Sequence, residues 1–346
     1  MPRWPAAASV LLFFCLSLML RRSTALLLHR TTPYMMPEGP EVRTIADQIA
    51  SRLMSSPSRL ISVDMLSGRY TRHGPPENHG DFLQSLQLHP QDSVIKSWKC
   101  RGKFQYLTLS DNERSVWVTL GMSGRFSFDE DLNHKHARVN FLLEDVETKE
   151  RKNLVFIDAR NFGTVKLSLY KEELAKKLST LGPDLLDSSD LTDEVFVNIV
   201  ALTIKKAKKP VNVSTFLMNQ RKISGVGNYI LAEGLYKSSV DPWATLDELS
   251  SDQLTSLINH LRTTAQTSLT AQGLTRQNGG SYRSLSGGVG KFEFELECYG
   301  RAETPKGEQV LKIVDGPHKR AIHFVKSQVV PERWDEINML LKDPVK

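Results

Sequence analysis

The chain has 346 residues, enough for two domains with separate cores, and its formal net charge is +6. Arg3, Arg21, Arg22 and Arg30 fall in the first 36 positions, which hold no acid; the rest keeps 41 of the 45 basic residues against 39 acidic, or +2. Bulk charge is thus no argument for a polyanion partner, and the three cysteines (Cys15, Cys100, Cys298) contain no Cys-x-x-Cys pair, which excludes a tetrahedral cysteine zinc site.

Residues 1–36 read as targeting. Arg3 precedes an apolar run from Ala6 to Leu20, followed by Arg21-Arg22 and later His29-Arg30. The run is shorter than the roughly 20 residues of a membrane span and suits the apolar core of a signal segment. The acid-poor continuation to Met36 fits an organellar transit peptide. A membrane anchor, or translation starting at Met36, are the alternatives. The two cysteines beyond the leader suggest reduced thiols in a reducing compartment.

Pro37-Glu38-Gly39-Pro40-Glu41-Val42-Arg43 opens an amphipathic helix, with Val42, Ile45, Ile49 and Leu53 at helical spacing. Prolines and carboxylates at a helix start suit the helix dipole. If Met36 is removed, however, Pro37 becomes a chain terminus, and its secondary amine is a nucleophile toward a sugar aldehyde. From Leu60 to about Leu169 the pattern is mostly period two. Phe104–Leu109 and Val116–Leu120 form a hairpin across Asp111-Asn112-Glu113, and segments at 139–143, 154–157 and 165–169 supply further strands of a β-sandwich or barrel. A linker-like break at Leu181–Leu186 precedes helical patterns over Glu194–Lys205, Thr215–Gln220, Asn228–Lys237 and Ser251–Gln272. Glycine pairs at 279–280 and 287–288 flank a loop, and strands are expected over Phe292–Tyr299, Gln309–Val314 and Ala321–Val325.

Five clusters can carry chemistry. Lys103 heads a strand and is either a solvated edge charge or, if brought beside Pro37, an amine at a reaction centre. Leu120-Gly121-Met122-Ser123-Gly124 is a turn whose Met122 is either buried or a wedge for a base stack. In Asp158-Ala159-Arg160-Asn161-Phe162-Gly163, Arg160 and Phe162 share one face of an extended segment and suit base contact and stacking. Lys205, Lys206, Lys208, Lys209, Arg221 and Lys222 surround Ser224-Gly225-Val226-Gly227-Asn228-Tyr229, a turn opening a helix whose N–H groups suit a phosphate. Tyr299-Gly300-Arg301 and His318-Lys319-Arg320-Ala321 form a strand-turn-strand unit with arginine at the turn, either a solvated edge or a phosphate clamp.

Taken in this order, these motifs resemble the formamidopyrimidine-DNA glycosylase / endonuclease VIII family of base-excision repair enzymes, from Pro37 to about Val329. The resemblance implies an α+β fold: an N-terminal β-sandwich with a leading helix over 37–185, a helix–two-turn–helix domain over 186–275, a lesion loop and β-hairpin finger over 276–330, and a tail over 331–346. It implies a bifunctional DNA glycosylase/AP lyase that flips out oxidised bases (8-oxoguanine, formamidopyrimidines or oxidised pyrimidines) from double-stranded DNA and nicks the strand by β,δ-elimination. Pro37 would be the Schiff-base nucleophile, Glu38 the acid/base, Lys103 the β-elimination and phosphate residue, and Arg320 the phosphate clamp for δ-elimination. Met122, Arg160 and Phe162 would fill the gap left by the flipped base, and His136, Asn161 and Asn228 would contact phosphates. A monomer without cofactor is implied, in an organelle if the leader is used and in the nucleus if translation starts at Met36.

Four positions depart from the family pattern. No cysteine occurs in 299–330, so the finger resembles the zincless type found in some eukaryotic and viral endonuclease VIII-like relatives. Asn161 stands where a second arginine is common. Leu217-Met218-Asn219-Gln220 replaces a common Asp-Gln pair, with Ser214 in place of a lysine. Pro37 is internal, and while it remains so it has no amine and the chain would be a catalytically silent damaged-DNA-binding protein. A further alternative is a ribosomal or topoisomerase-like binder sharing only the helix–two-turn–helix.

Overall fold

The computed structural model describes residues 37–342, apart from 129, 274–284 and 286–294. The leader, and all of the loop from Arg283 to Lys291 except Leu285, thus lie outside the described residues, as does the first part of the strand expected over Phe292–Tyr299. Its remainder, 295–299, is turn rather than strand.

Helix α1 (Gly39–Ser55) buries Val42, Ile45, Ile49 and Leu53, as its spacing predicts, and each such side chain contributes about 1.5–3 kcal/mol. It ends before Pro57, which disfavours a helical Ser56. Two antiparallel sheets follow. One has the order β1 (Ser58–Met65), β6 (Ala137–Asp145), β7 (Arg151–Asp158), β5 (Gly124–Ser127); the other runs β2 (Ile95–Arg101), β3 (Phe104–Leu109), β4 (Ser115–Thr119), β8 (Thr164–Ser168). They face each other over one apolar core. Trp98 of β2 meets Phe126 of β5 edge-on at 5.4 Å, and Phe126 packs on Phe141 and Phe156. The expected hairpin is β3–β4, with Phe104 paired to Thr119. The period-two reading of 60–169 misses α2 (His79–Leu88), whose Phe82 and Leu86, one helical turn apart, are buried.

After α3 (Lys171–Ser179) the presumed linker proves to be pinned. The Gly182 N–H donates to the Gln220 carbonyl and the Leu185 N–H to that of Ser224, at 2.9 and 3.0 Å. The second half contains α4 (Asp193–Lys206), α5 (Val213–Met218), α6 (Asn228–Lys237) and α7 (Ser251–Thr270). Thr192 and Ser250 cap α4 and α7 by accepting from Val195 and Gln253 N–H groups. A hairpin, β9 (Val310–Ile313) and β10 (Ile322–Val325), pairs Ile322 with Ile313. It shares a core with the helices through Ile313, Ile322 and Phe324. The expected tail contains a helix, α8 (Pro331–Lys342), whose Ile337 enters that core; the sequence reading omitted the packing of Trp334, Ile337 and Leu341 on one face.

Candidate active site

The first turn of α1 is built around two carboxylates. The Glu38 backbone N–H donates to Glu41 Oε2 at 2.8 Å, which fixes the Pro37–Glu38 junction. The Glu38 side chain leaves its own helix and enters the N-terminus of α6, accepting the Tyr229 N–H at 2.9 Å and the Ile230 N–H at 3.4 Å. Glu38 is 3% exposed. Its passage depends on Gly227, where a Cβ would lie 2.1 Å from the Glu38 carboxyl carbon. Glu41 is held from the other side by the Tyr229 hydroxyl at 3.1 Å, and Tyr229 and Ser268 hydroxyls meet at 2.8 Å.

Lys103 arrives on the β2–β3 turn. Gly102 there has φ +55°, and a Cβ on it would lie 2.5 Å from the Gly225 nitrogen, so the two turns touch backbone to backbone. Asp184 locks this approach: its Oδ2 accepts the Gly102 N–H at 2.9 Å and Arg43 Nη2 at 3.1 Å, and its Oδ1 accepts the Leu186 N–H at 3.0 Å. The Gly39 N–H donates to the Gly225 carbonyl at 3.0 Å, closing the seam.

Electrostatics follow from this burial. Burial pushes the Glu38 carboxyl up to about 7 against the pull of the Lys103 ammonium, and the Glu41 carboxylate adds to the rise. Burial draws Lys103 below its ordinary range; Glu38 opposes this, and the nearby Arg320 guanidinium adds to it. Pro37 is buried beside them. A carboxyl half-protonated near neutrality, a lysine with a lowered pKa and an arginine thus converge near the start of α1. This is an arrangement for proton transfer next to an anion.

The remaining expected residues form a second group. Met122 is half-buried, while Arg160 and Phe162 are exposed, Phe162 to 51%, with the guanidinium over the ring at 5.2 Å. Buried Asp158 assembles both turns, accepting the Ser123 hydroxyl, the Arg160 N–H at 3.1 Å and the Gly163 N–H at 2.7 Å. His136 stands at the edge of this group with its Nδ1 3.3 Å from Arg138 Nη2; desolvation and then neighbouring cations hold its pKa low. Asn161, expected at a phosphate, lies in the turn between Arg160 and Phe162. It has φ +57°, which asparagine tolerates better than arginine, and its Oδ1 faces the Arg69 N–H at 3.4 Å. Its carbonyl accepts Arg69 Nη2 at 2.7 Å, which brings a second cation to this turn beside Arg160. Asn228, also expected at a phosphate, is tied to the hairpin: Nδ2 donates to the Ala321 carbonyl at 2.8 Å and Oδ1 accepts from His318 Nε2 at 2.9 Å.

The sequence reading missed Glu41, Tyr229, Ser268, Asp184 and His318. Only Glu41 had a local signal, the Glu-x-x-Glu spacing at a helix start. Among the described residues no group of three or more acidic, histidine or cysteine side chains could hold a metal ion, and no helix is long and apolar enough to cross a membrane.

Residues 36–165 match the formamidopyrimidine-DNA glycosylase N-terminal domain and residues 181–278 the formamidopyrimidine-DNA glycosylase H2TH domain. A formamidopyrimidine-DNA glycosylase of Bacillus licheniformis is 30% identical over 298 residues, covering 84% of this chain and 98% of its own. The chain belongs to the formamidopyrimidine-DNA glycosylase family. A relative of the same name from Wolbachia pipientis is 28% identical over 272 residues, covering 78% of this chain and 90% of its own. Two solved structures share the fold. The MutM (Fpg) protein of Thermus thermophilus has a TM-score of 0.67 at 24% identity, covering 84% of this chain and 98% of its own. The Lactococcus lactis Fpg, solved with DNA containing an abasic site, has 0.66 at 21%, covering 84% and 99%. The match to the N-terminal domain removes the alternative of a binder sharing only the helix–two-turn–helix.

Proposed function

We propose that this chain is a bifunctional DNA glycosylase/AP lyase of base-excision repair, acting on oxidised bases in double-stranded DNA. The observation that carries the reading is Glu38, next to Pro37 in the chain, entering the N-terminus of α6 with Lys103 near it and Arg320 close enough to depress the Lys103 pKa. Extrusion of the damaged base costs a few kcal/mol, which Met122, Arg160 and Phe162 offset by filling the gap. The Pro37 secondary amine attacks C1′, and the base leaves with a proton delivered through Glu38. The iminium acidifies the C2′ proton; its removal expels the 3′ phosphate, and loss of the C4′ proton then expels the 5′ phosphate. Lys103 and Arg320 hold the departing phosphates, and His136 lies in reach of the flanking backbone.

Chemistry at Pro37 requires a free amine. An α-amino group titrates near pH 8, so it is partly neutral where an ordinary lysine is not. The test is borohydride trapping on a duplex with one abasic site, comparing protein beginning at Pro37 with the full chain. Trapping by the Pro37 form alone supports the nucleophile and makes the leader a block on activity. Equal trapping by both assigns the amine elsewhere, Lys103 first. Binding without trapping by either selects the silent damaged-DNA-binding reading. The acid-poor leader supports delivery to a plastid or mitochondrion, with nuclear delivery if translation begins at Met36; a fluorescent fusion of residues 1–36 separates the two.

A further inference from the structure

Arg320 lies on the turn between β9 and β10, with Gly316 N–H donating to its carbonyl and Lys319 N–H to that of Gly316, both at 2.8 Å. This turn is gripped by one side-chain amide. His318 Nε2–H donates to Asn228 Oδ1 at 2.9 Å, while Asn228 Nδ2 donates to the Ala321 carbonyl at 2.8 Å. The two bonds hold the chain at residues 318 and 321, on either side of Arg320. Asn228 is the first residue of α6, and the next two N–H groups of that helix hold Glu38. The same helix end therefore carries both the carboxyl at the reaction centre and the clamp on the arginine's turn. Thr215 Oγ1 adds a third bond, to the Pro317 carbonyl at 3.1 Å.

We propose that His318 is a positioning residue which, through Asn228, seats Arg320 against Lys103 and so sets its contact with the substrate phosphate.

Two features argue for a role beyond holding the hairpin. The bond to Asn228 fixes the Nε2–H tautomer and leaves Nδ1 buried without a partner among the described residues, an arrangement unfavourable for stability alone. Burial, then Arg320, also lowers the His318 pKa to about 4. The ring is thus neutral near pH 7, donates one hydrogen bond to Asn228 and adds no charge beside Arg320. Hairpin packing through Ile322 and Phe324 is independent of it.

The inference rests on the reading of function above, and its test has one arm that does not. On an abasic duplex, with protein beginning at Pro37, His318→Ala should lower the ratio of δ- to β-elimination product at least about tenfold, toward that of Arg320→Ala, because a misplacement of about 1 Å carries penalties of that order or more. Borohydride trapping, which reports Pro37, should be unchanged. His318→Gln, whose amide nitrogen reaches the place of Nε2, should restore the ratio. The independent arm is the Lys103 titration in the free protein by NMR of methylated lysines. Arg320 lowers that pKa, so it should rise in His318→Ala and return in His318→Gln. A wild-type product ratio and wild-type Lys103 titration in His318→Ala would overturn the proposal, as would equal losses in ratio, trapping and melting temperature, which mark a purely structural role. Failure of wild-type protein to trap would sink the reading of function while leaving the titration arm to decide the role of His318.

Discussion

At the residue scale the proposed chemistry turns on one carboxyl. Glu38 is dehydrated yet met by two helix N–H groups, so its pKa of about 7 is a balance rather than a simple burial effect. Glu38→Gln keeps the shape and removes the proton donor; base excision from an oxidised duplex should fall about 10²–10⁴-fold. The wild-type decline in single-turnover rate above about pH 7 should vanish with it. The same carboxyl affects stability. Its folded pKa exceeds the ordinary 4.5, so its contribution is fully present below pH 4.5 and is lost as pH rises through 7. Denaturant melts from pH 5 to 8 should show a steeper loss for wild type than for Glu38→Gln. Gly227→Ala tests the steric half of the argument. The backbone there is extended and tolerates alanine, but the new methyl occupies the place of the Glu38 carboxyl. Excision should fall at least tenfold, with the circular dichroism spectrum retained.

At the element scale, α1 and α6 meet N-terminus to N-terminus, which concentrates partial positive charge where Glu38 and Glu41 lie. Tyr229 stitches the pair: its N–H holds Glu38 and its hydroxyl holds Glu41. Tyr229→Phe leaves a buried carboxylate with one donor fewer and should cost about 1–3 kcal/mol in urea or guanidinium denaturation. This network joins residues about 190 positions apart, so no window of sequence displays it. The helices themselves were legible. The spacing of Val42, Ile45, Ile49 and Leu53 reports the face of α1, and the sequence bounds of α6 coincide with the observed ones. Helix α2 was missed because its apolar residues are few and sit between strands, and α8 because its burial depends on a neighbour rather than on its own composition.

For the whole molecule, two cores must be held in one register for the site to exist. Asp184 does much of this holding: it lies 4% exposed at the seam and takes three hydrogen bonds, from Gly102, Arg43 and Leu186. Asp184→Ala orphans the Gly102 N–H beside Lys103 and strips Arg43 of its carboxylate. A stability loss of about 1–3 kcal/mol is expected, read as a lower denaturant midpoint, accompanied by slower trapping. A purely distant stability defect would leave trapping intact at low temperature. The stretch Leu181–Leu186 looks like a linker because glycine and proline punctuate it, yet its Gly182 and Leu185 N–H groups are satisfied by the turn at 220–224.

The sequence by itself determined the class of fold, the family and the candidate reacting groups. Hydrophobic period and turn residues are local properties, and the order of the motifs from Pro37 to Arg320 is specific to one family. Tertiary structure alone decided how those groups are tuned and held. A pKa near 7 at Glu38 needs the far side of the molecule to dehydrate it, and Arg320 needs Asn228 and His318 to seat its turn. Asn161 and Asn228 show the difference most directly. Their motif positions suggest phosphate contacts, while the left-handed backbone of one and the hairpin bonds of the other are set by segments distant in sequence. Residue type is written locally, whereas burial, field and hydrogen-bond partner depend on chain segments brought together only by folding.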